Sequence, residues 1–465
     1  MLGNVCVHRP RPALILAALA CLFPALARAD LWVTGYYPGY EQSRLAPSNI
    51  DFSTITHVIH FSLGPNSDGS LDAGINSLTP SYSTDLVTHA HAAGRKALIC
   101  VGGASTESMF QGATAGTNLV AFVNNIINFM SAYGYDGVDL DWEPLTATDI
   151  PQYTNFVTRL RTALDGFSPH KLLTVAAQAY PVYGDPPAQY TMFAMLQSQL
   201  DQINIMTYDL SGAWEGWVTW YNSPIYDGGF EFPNTTELVP SVDGSVANFR
   251  TNGVAPGKLG IGLPFYGDVW THGAGTSTGG TSLPRQSWSN APTVSAVTYS
   301  TIMSSYYQSN LYHWDAVAQA AYLSITNVVP TNDIFLSYDD QHTCQAKVSY
   351  ARNNRLGGLM IWELAQDYRA TQPAGQRDPL VQSIKQSLAT PGVVSINPAG
   401  QNMQLGFSSL PLALYRIEWT SNLAAGPWNT LSNNLSNVTG GVLQVTDPAA
   451  FPNQPGRFYR VQTPP

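Results

Sequence analysis

Short apolar runs rich in β-branched residues punctuate the chain at eight places: LWVTGYY (31–37), ITHVIHFSL (55–63), KALICVGG (96–103), GVDLDWE (137–143), LLTVAAQAY (172–180), INIMTYD (203–209), KLGIGLPFYG (258–267) and GGLMIWE (357–363). Runs of this length and make-up read as buried strands. Between most of them the apolar period changes to that of a helix. Within 118–134, Leu119, Phe122, Val123, Ile126, Ile127 and Met130 share one stripe, and Gly134 can end the helix. Within 153–164, Phe156, Leu160 and Leu164 repeat the pattern. Strand and helix alternating eight times over residues 30–388 predict an α/β fold of the (β/α)8 TIM-barrel type. A doubly wound open sheet is the alternative, but no glycine-rich dinucleotide turn follows the first run.

Two stretches break the rhythm. The gap between the seventh and eighth runs is too long for one loop and helix, and it is rich in Gly, Ser and Thr. Residues 269–335 are therefore expected to form a small α+β insertion between strands 7 and 8. After LVQSIKQSLATPG the helical period stops, and residues 390–465 alternate polar and apolar positions between Gly, Asn and Pro turns. A small all-β domain is expected there, with Tyr415, Trp419, Trp428, Phe458 and Tyr459 as its candidate core. It could bind carbohydrate, attach to a surface, direct sorting, or simply cap the barrel.

The first 29 residues read as a signal peptide: Arg9 and Arg11, an apolar run from Ala13 to Leu26, then Ala27-Arg28-Ala29 as a cleavage site before Asp30. The apolar run is too short to span a membrane. The expected location is outside the cytoplasm, extracellular or periplasmic, with attachment to the cell surface open. Cys21 leaves a lipid anchor open as well. Processing would remove Cys6 and Cys21, leaving Cys100 and Cys344, which are no disulfide framework. Cys100, inside an apolar run, is expected to be a buried free thiol.

Composition narrows the chemistry. The net charge is −10 with no basic cluster, which argues against nucleic acid. With 24 Tyr and 11 Trp but only 11% charged residues, the chain suits a neutral ligand with apolar faces, such as a carbohydrate, although most of these aromatics would also serve as core. No metal-ligand spacing and no cofactor motif is present, and a monomer is expected.

Against this sparing use of charge, AYGYDGVDLDWEPL (132–145) places Asp136, Asp139, Asp141 and Glu143 in one short run. Alternate residues of a strand share a face, so Asp139, Asp141 and Glu143 point one way and Val138, Leu140 and Trp142 the other. The acids climb into the barrel about 6.6 Å apart, toward the carboxyl end of the strand where barrel active sites lie. Asp136 has the opposite parity and is expected to be structural. Three ionised carboxylates this close would repel, so at least one holds or shares a proton, which is what a general acid near neutral pH requires. Glu143, outermost and longest, is the candidate donor.

DGVDLDWE resembles the DxxDxDxE motif of family 18 glycoside hydrolases, the chitinase family. CVGG (100–103) is similar to that family's third-strand SxGG, with Cys100 for Ser. MTYDLSGAWEGWVTWYNSPIY (206–226), KLGIGLPFYG and LGGLMIWELAQD resemble its sixth, seventh and eighth strands, so the likeness covers residues 30–388 in order. The insertion resembles that of the deep-cleft subgroup. The resemblance implies hydrolysis of β-1,4 bonds between N-acetylglucosamine units with retention, the substrate's own acetamido oxygen acting as nucleophile. It gives Glu143 the role of acid and then base. Asp141 would orient the acetamido group, Asp139 would support it, and Tyr208 would bond the acetamido oxygen. Met206 and Asp209 would shape that pocket and Trp362 would floor it, with Tyr36, Trp214 and Tyr266 in contact with sugar. The implied partners are chitin or N-acetylglucosamine oligosaccharides. Ala104 stands where the family often has an aromatic, and Asp268 where FYGR has Arg, so contacts near the cut should differ. An endo-β-N-acetylglucosaminidase acting on N-glycan cores shares the motif and remains the alternative. A sugar-binding lectin would be expected to have lost Glu143.

Overall fold

A computed structural model describes residues 31–179, 186–389, 393–399, 402–409, 414–422, 426–436, 441–448 and 457–462. The expected signal peptide with Cys6 and Cys21 lies outside these residues. Eight parallel strands close on themselves: β1 (Trp32–Pro38), β2 (His57–Pro65), β3 (Lys96–Gly103), β4 (Gly137–Trp142), β5 (Leu172–Gln178), β6 (Gln202–Met206), β7 (Leu259–Pro264) and β8 (Gly358–Trp362). Closure is made by β1, which pairs with β2 through Tyr36↔Ile59 and with β8 through Thr34↔Met360. This is a TIM barrel.

The helices follow from the stripes in the sequence. Asn118–Tyr133 buries Leu119, Phe122, Val123, Ile126 and Met130 and ends at Gly134, whose φ of 76° is the left-handed conformation a helix stop favours. Ile127, at the edge of the stripe, is only partly buried. Ile150–Leu164 buries Phe156, Leu160 and Leu164. These helices pack on the outward residues of β4. Val138, Leu140 and Trp142 belong to the main core, and Phe110 stacks on Trp142 at 4.6 Å.

The run 258–267 is not one strand. β7 ends at Pro264, Phe265 turns and donates its N–H to the Trp362 carbonyl (2.8 Å), and Tyr266–Thr271 starts a separate antiparallel sheet. Tyr266 and Asp268 thus stand on the insertion rather than on the barrel wall. That sheet has five strands in the order Thr293–Thr298, Tyr266–Thr271, Ile334–Tyr338, Ala320–Ile325, Tyr312–Asp315. It begins and ends slightly outside 269–335.

Beyond Leu388 the described residues form two three-stranded antiparallel sheets. Their core is Leu405, Phe407, Tyr415, Ile417 and Val445. Of the aromatics expected there, Tyr415 is buried, whereas Trp419, Trp428 and Tyr459 are half-buried and Phe458 is exposed. Register shifts on either side of Ile417 break the alternation that the sequence suggested, turning Glu418 inward. Trp419 and Trp428 instead carry Arg457 and Arg460 over their rings at 4.0 and 4.2 Å.

Candidate active site

Strand parity puts Asp139 and Asp141 of β4, with Glu143 just past its end, on the barrel's inner face, and their surroundings grade from inside outward. Asp139 is fully buried. Tyr36 Oη donates to its Oδ2 (2.8 Å) and Thr174 Oγ1 to its Oδ1 (2.5 Å), while the Cys100 thiol adds a third donor. Burial still pushes its pKa up, and the three donors oppose that. Asp141, 3% exposed, has no donor on Oδ1. Burial and the charges of Glu143 and Asp139 push it well above the carboxylate range. Glu143, half-buried at the mouth, is raised by burial to about 7, with Asp209 pushing the same way and the contact with Asp141 opposing. Asp141 and Glu143 are close enough to share a proton and titrate as a pair.

Two glycines make the approach possible. Gly102 and Gly103 have φ of 110° and 123°, and a Cβ on Gly102 would sit 2.0 Å from the Asp141 carbonyl oxygen. The Thr106 and Glu107 N–H groups then bond the Glu143 carbonyl at 2.9 and 3.1 Å, fixing the backbone of the acid from the β3 side. Leu145 N–H, on the β5 side, donates to Gln178 Oε1 (3.0 Å).

Over these acids opens a cleft of about 810 Å³ whose lining includes Tyr36, Phe61, Asp141, Glu143, Met206, Tyr208 and Trp362. Trp362 packs against Phe61 edge-on (4.8 Å) and Tyr36 (5.4 Å). Tyr208 Oη donates to Met360 Sδ (3.7 Å). Ala104 lies exposed on the cleft wall. Asp209 is adjacent: its N–H donates to Asn222 Oδ1 (2.7 Å), and Tyr266 Oη donates to its Oδ1 (2.5 Å). Of the residues singled out in the sequence, Tyr36, Asp141, Glu143, Met206, Tyr208 and Trp362 meet in this cleft. Asp139 supports it from below, and Asp209 with Tyr266 flanks it. Trp214 stands apart from the lining, 44% exposed, with its ring against Trp217 at 4.5 Å. Asp136 lies at the start of the strand, where Lys96, His91 and the Ala97 N–H bond it.

Sequence reasoning missed Phe61, which props the Trp362 floor, and Thr174, which anchors Asp139. An aromatic near the carboxyl end of β2 and a polar residue inside the apolar run of β5 were the available signals. Cys100 was read as a buried thiol standing where the family's third-strand motif has Ser. It is free and buried, and it also faces Asp139.

The family model for glycosyl hydrolases family 18 matches residues 33–367, most of the chain, from within β1 to beyond β8. The chain belongs to glycosyl hydrolase family 18. Within the family it is 31% identical to chitinase A1 of Niallia circulans over 74% of this chain and 49% of that protein. It is 29% identical to a probable endochitinase of Caenorhabditis elegans over 63% of this chain and 48% of that one. The chain thus spans about half the length of these two relatives. In fold it matches the crystal structure of a group IV chitinase from Ostrinia furnacalis, with TM-score 0.63 and 23% identity over 78% of this chain and all of that one. Among the described residues no helix is long and apolar enough to cross a membrane.

Proposed function

We propose that this family 18 protein is a secreted chitinase that hydrolyses β-1,4 bonds between N-acetylglucosamine units with retention, using the substrate's acetamido group as nucleophile. The reading is carried by the graded carboxyl ladder: Asp139 held by three donors, Asp141 above it, and Glu143 at the cleft with a carboxyl poised near pH 7. A sugar on the Trp362 floor sets its acetamido group between Asp141 and Tyr208. Its carbonyl oxygen attacks the anomeric carbon as the glycosidic bond breaks, and Glu143 gives its proton to the departing oxygen. The resulting oxazolinium carries positive charge, balanced by the negative charge left on the Asp141–Glu143 pair when Glu143 gave up its proton. Water, deprotonated by Glu143, then opens the oxazolinium and restores the acid. Trp362 with Tyr36 and Phe61 supplies an apolar surface for the sugar face.

The test is product analysis on N-acetylglucosamine oligomers of several lengths, with Glu143→Gln as control. Cleavage by the wild type and its loss in the variant are expected. Intact oligomers with the wild type would overturn the chitinase reading, and N-glycan cores would then be the substrate to try.

A further inference from the structure

Beside the catalytic pair lies an acid that no part of the mechanism uses. On the strand Tyr266–Thr271, Tyr266 and Asp268 have the same parity and share one side. Asp268 is 5% exposed, yet no hydrogen bond and no ion pair reaches its carboxyl among the described residues. The charged group that acts on it is another acid, Asp209, and this together with burial pushes Asp268 well above the carboxylate range. Asp209 is held at one oxygen by Tyr266 and has no basic partner either. A second orphan lies in the same network. Asn222 is 1% exposed and uses its Oδ1 to accept from the Asp209 N–H, while its Nδ2 has no partner. The N–H of Asn222 in turn bonds Ser337, the residue paired with Asp268 across the insertion sheet.

Such groups are costly to bury unless something completes them. The missing complement is a cationic donor for Asp268 and Asp209, with an adjoining acceptor for the Asn222 amide. A 2-amino sugar has this pattern: an ammonium flanked by hydroxyls. These acids border the cleft: Asp209 follows Tyr208, which lines it, and Tyr266, which bonds Asp209, has its ring 6.1 Å from that of Tyr208. The charge of Asp209 also acts on Glu143, the group that protonates the departing oxygen. The sugar on the Trp362 floor needs its acetyl group to react. The sugar beyond the cut does not.

We propose that Asp268, with Asp209 and Asn222, forms a leaving-side subsite that selects a glucosamine unit with a free amino group over an N-acetylated one. The enzyme would then cut partly deacetylated chitin at acetylated-then-deacetylated junctions. This inference rests on the glycosidase reading above and refines its substrate.

The test digests a half-acetylated chitosan with the wild type in weakly acidic buffer, where the sugar amine is protonated. Fully acetylated oligomers are digested in parallel, and both new chain ends are identified by NMR and mass spectrometry. New reducing ends should all be acetylated. New non-reducing ends should be enriched in free amine about tenfold over the polymer's own ratio, the size of one charge-assisted hydrogen bond. Asp268→Asn should abolish the enrichment, and Asp268→Glu, which keeps a carboxyl that can give its proton up to the amine, should retain most of it. Wild-type ends at or below the polymer ratio would overturn the amine subsite while leaving the glycosidase reading intact. Enrichment that persists in Asp268→Asn would remove Asp268 from it. Failure to cut either substrate would instead sink the glycosidase reading.

Discussion

The pH dependence of cleavage follows from the carboxyl pair. A glutamate at its ordinary 4.5 would be protonated in about one molecule in 300 at pH 7. Raised to about 7, Glu143 is protonated in roughly half, about 150-fold more acid available at that pH. The expected profile of kcat/KM on N-acetylglucosamine oligomers is level below pH 7 on this limb and falls tenfold per pH unit above it. Natural oligomers are required, because a leaving group that needs no proton would hide the acid. Glu143→Gln keeps the shape and removes the proton, so activity should fall by roughly 10²–10⁴-fold, the worth of a placed general acid. Asp209→Asn keeps the oxygen that accepts from Tyr266 but removes a charge that raises Glu143. The falling limb should therefore move to lower pH. A limb centred near the pH of an ordinary carboxylate, or one that Asp209→Asn leaves in place, would refute the assignment of Glu143 as an acid tuned by its surroundings.

Three further outcomes are expected. Tyr36→Phe removes one donor from buried Asp139; a hydrogen bond to a charged group is worth about 1.5–3 kcal/mol, so kcat/KM should fall roughly 10- to 150-fold, read against an unchanged fold by circular dichroism. Glu363 is fully buried, and burial raises it from 4.5 to about 8. Below pH 4.5 folded and unfolded chains both hold this proton. Between 4.5 and 8 only the unfolded chain releases it, so stability falls as pH rises, by about 5 kcal/mol in all. Urea melts at acid and alkaline pH should show that loss in the wild type and a flatter dependence in Glu363→Gln. Lys347 Nζ, fully buried, bonds Asp339 (2.5 Å), Ser223 Oγ (2.5 Å) and the Gly262 carbonyl (3.2 Å). Lys347→Met strands Asp339 and should cost about 3–5 kcal/mol, seen as a lower urea midpoint.

The features legible in the sequence are those set by local periodicity. The eight apolar runs correspond to the eight barrel strands, and the alternation in GVDLDWE separates the acids from Val138, Leu140 and Trp142 as the structure does. What stayed hidden depends on contacts across the chain. Thr174 reaches Asp139 from 35 residues away and Tyr36 from 103, and nothing in the neighbourhood of either marks it as an anchor. The break at Phe265 was invisible because β7 and the first insertion strand have the same apolar character and differ only in which partner they pair with. In the C-terminal sheets the register shifts around Ile417 overrode the parity on which the core assignment depended.

The glycine pair on β3 sets a boundary for anyone redesigning this cleft. Next to it, Ala104 faces solvent on the wall. Any side chain at Gly102 runs into the backbone of Asp141, and any at Gly103 meets the Phe61 ring at 2.7 Å. A combinatorial library aimed at this wall therefore has one position to randomise and two to leave alone. Diversity placed at Ala104 samples new sugar contacts, whereas diversity placed one or two residues earlier samples only damaged barrels.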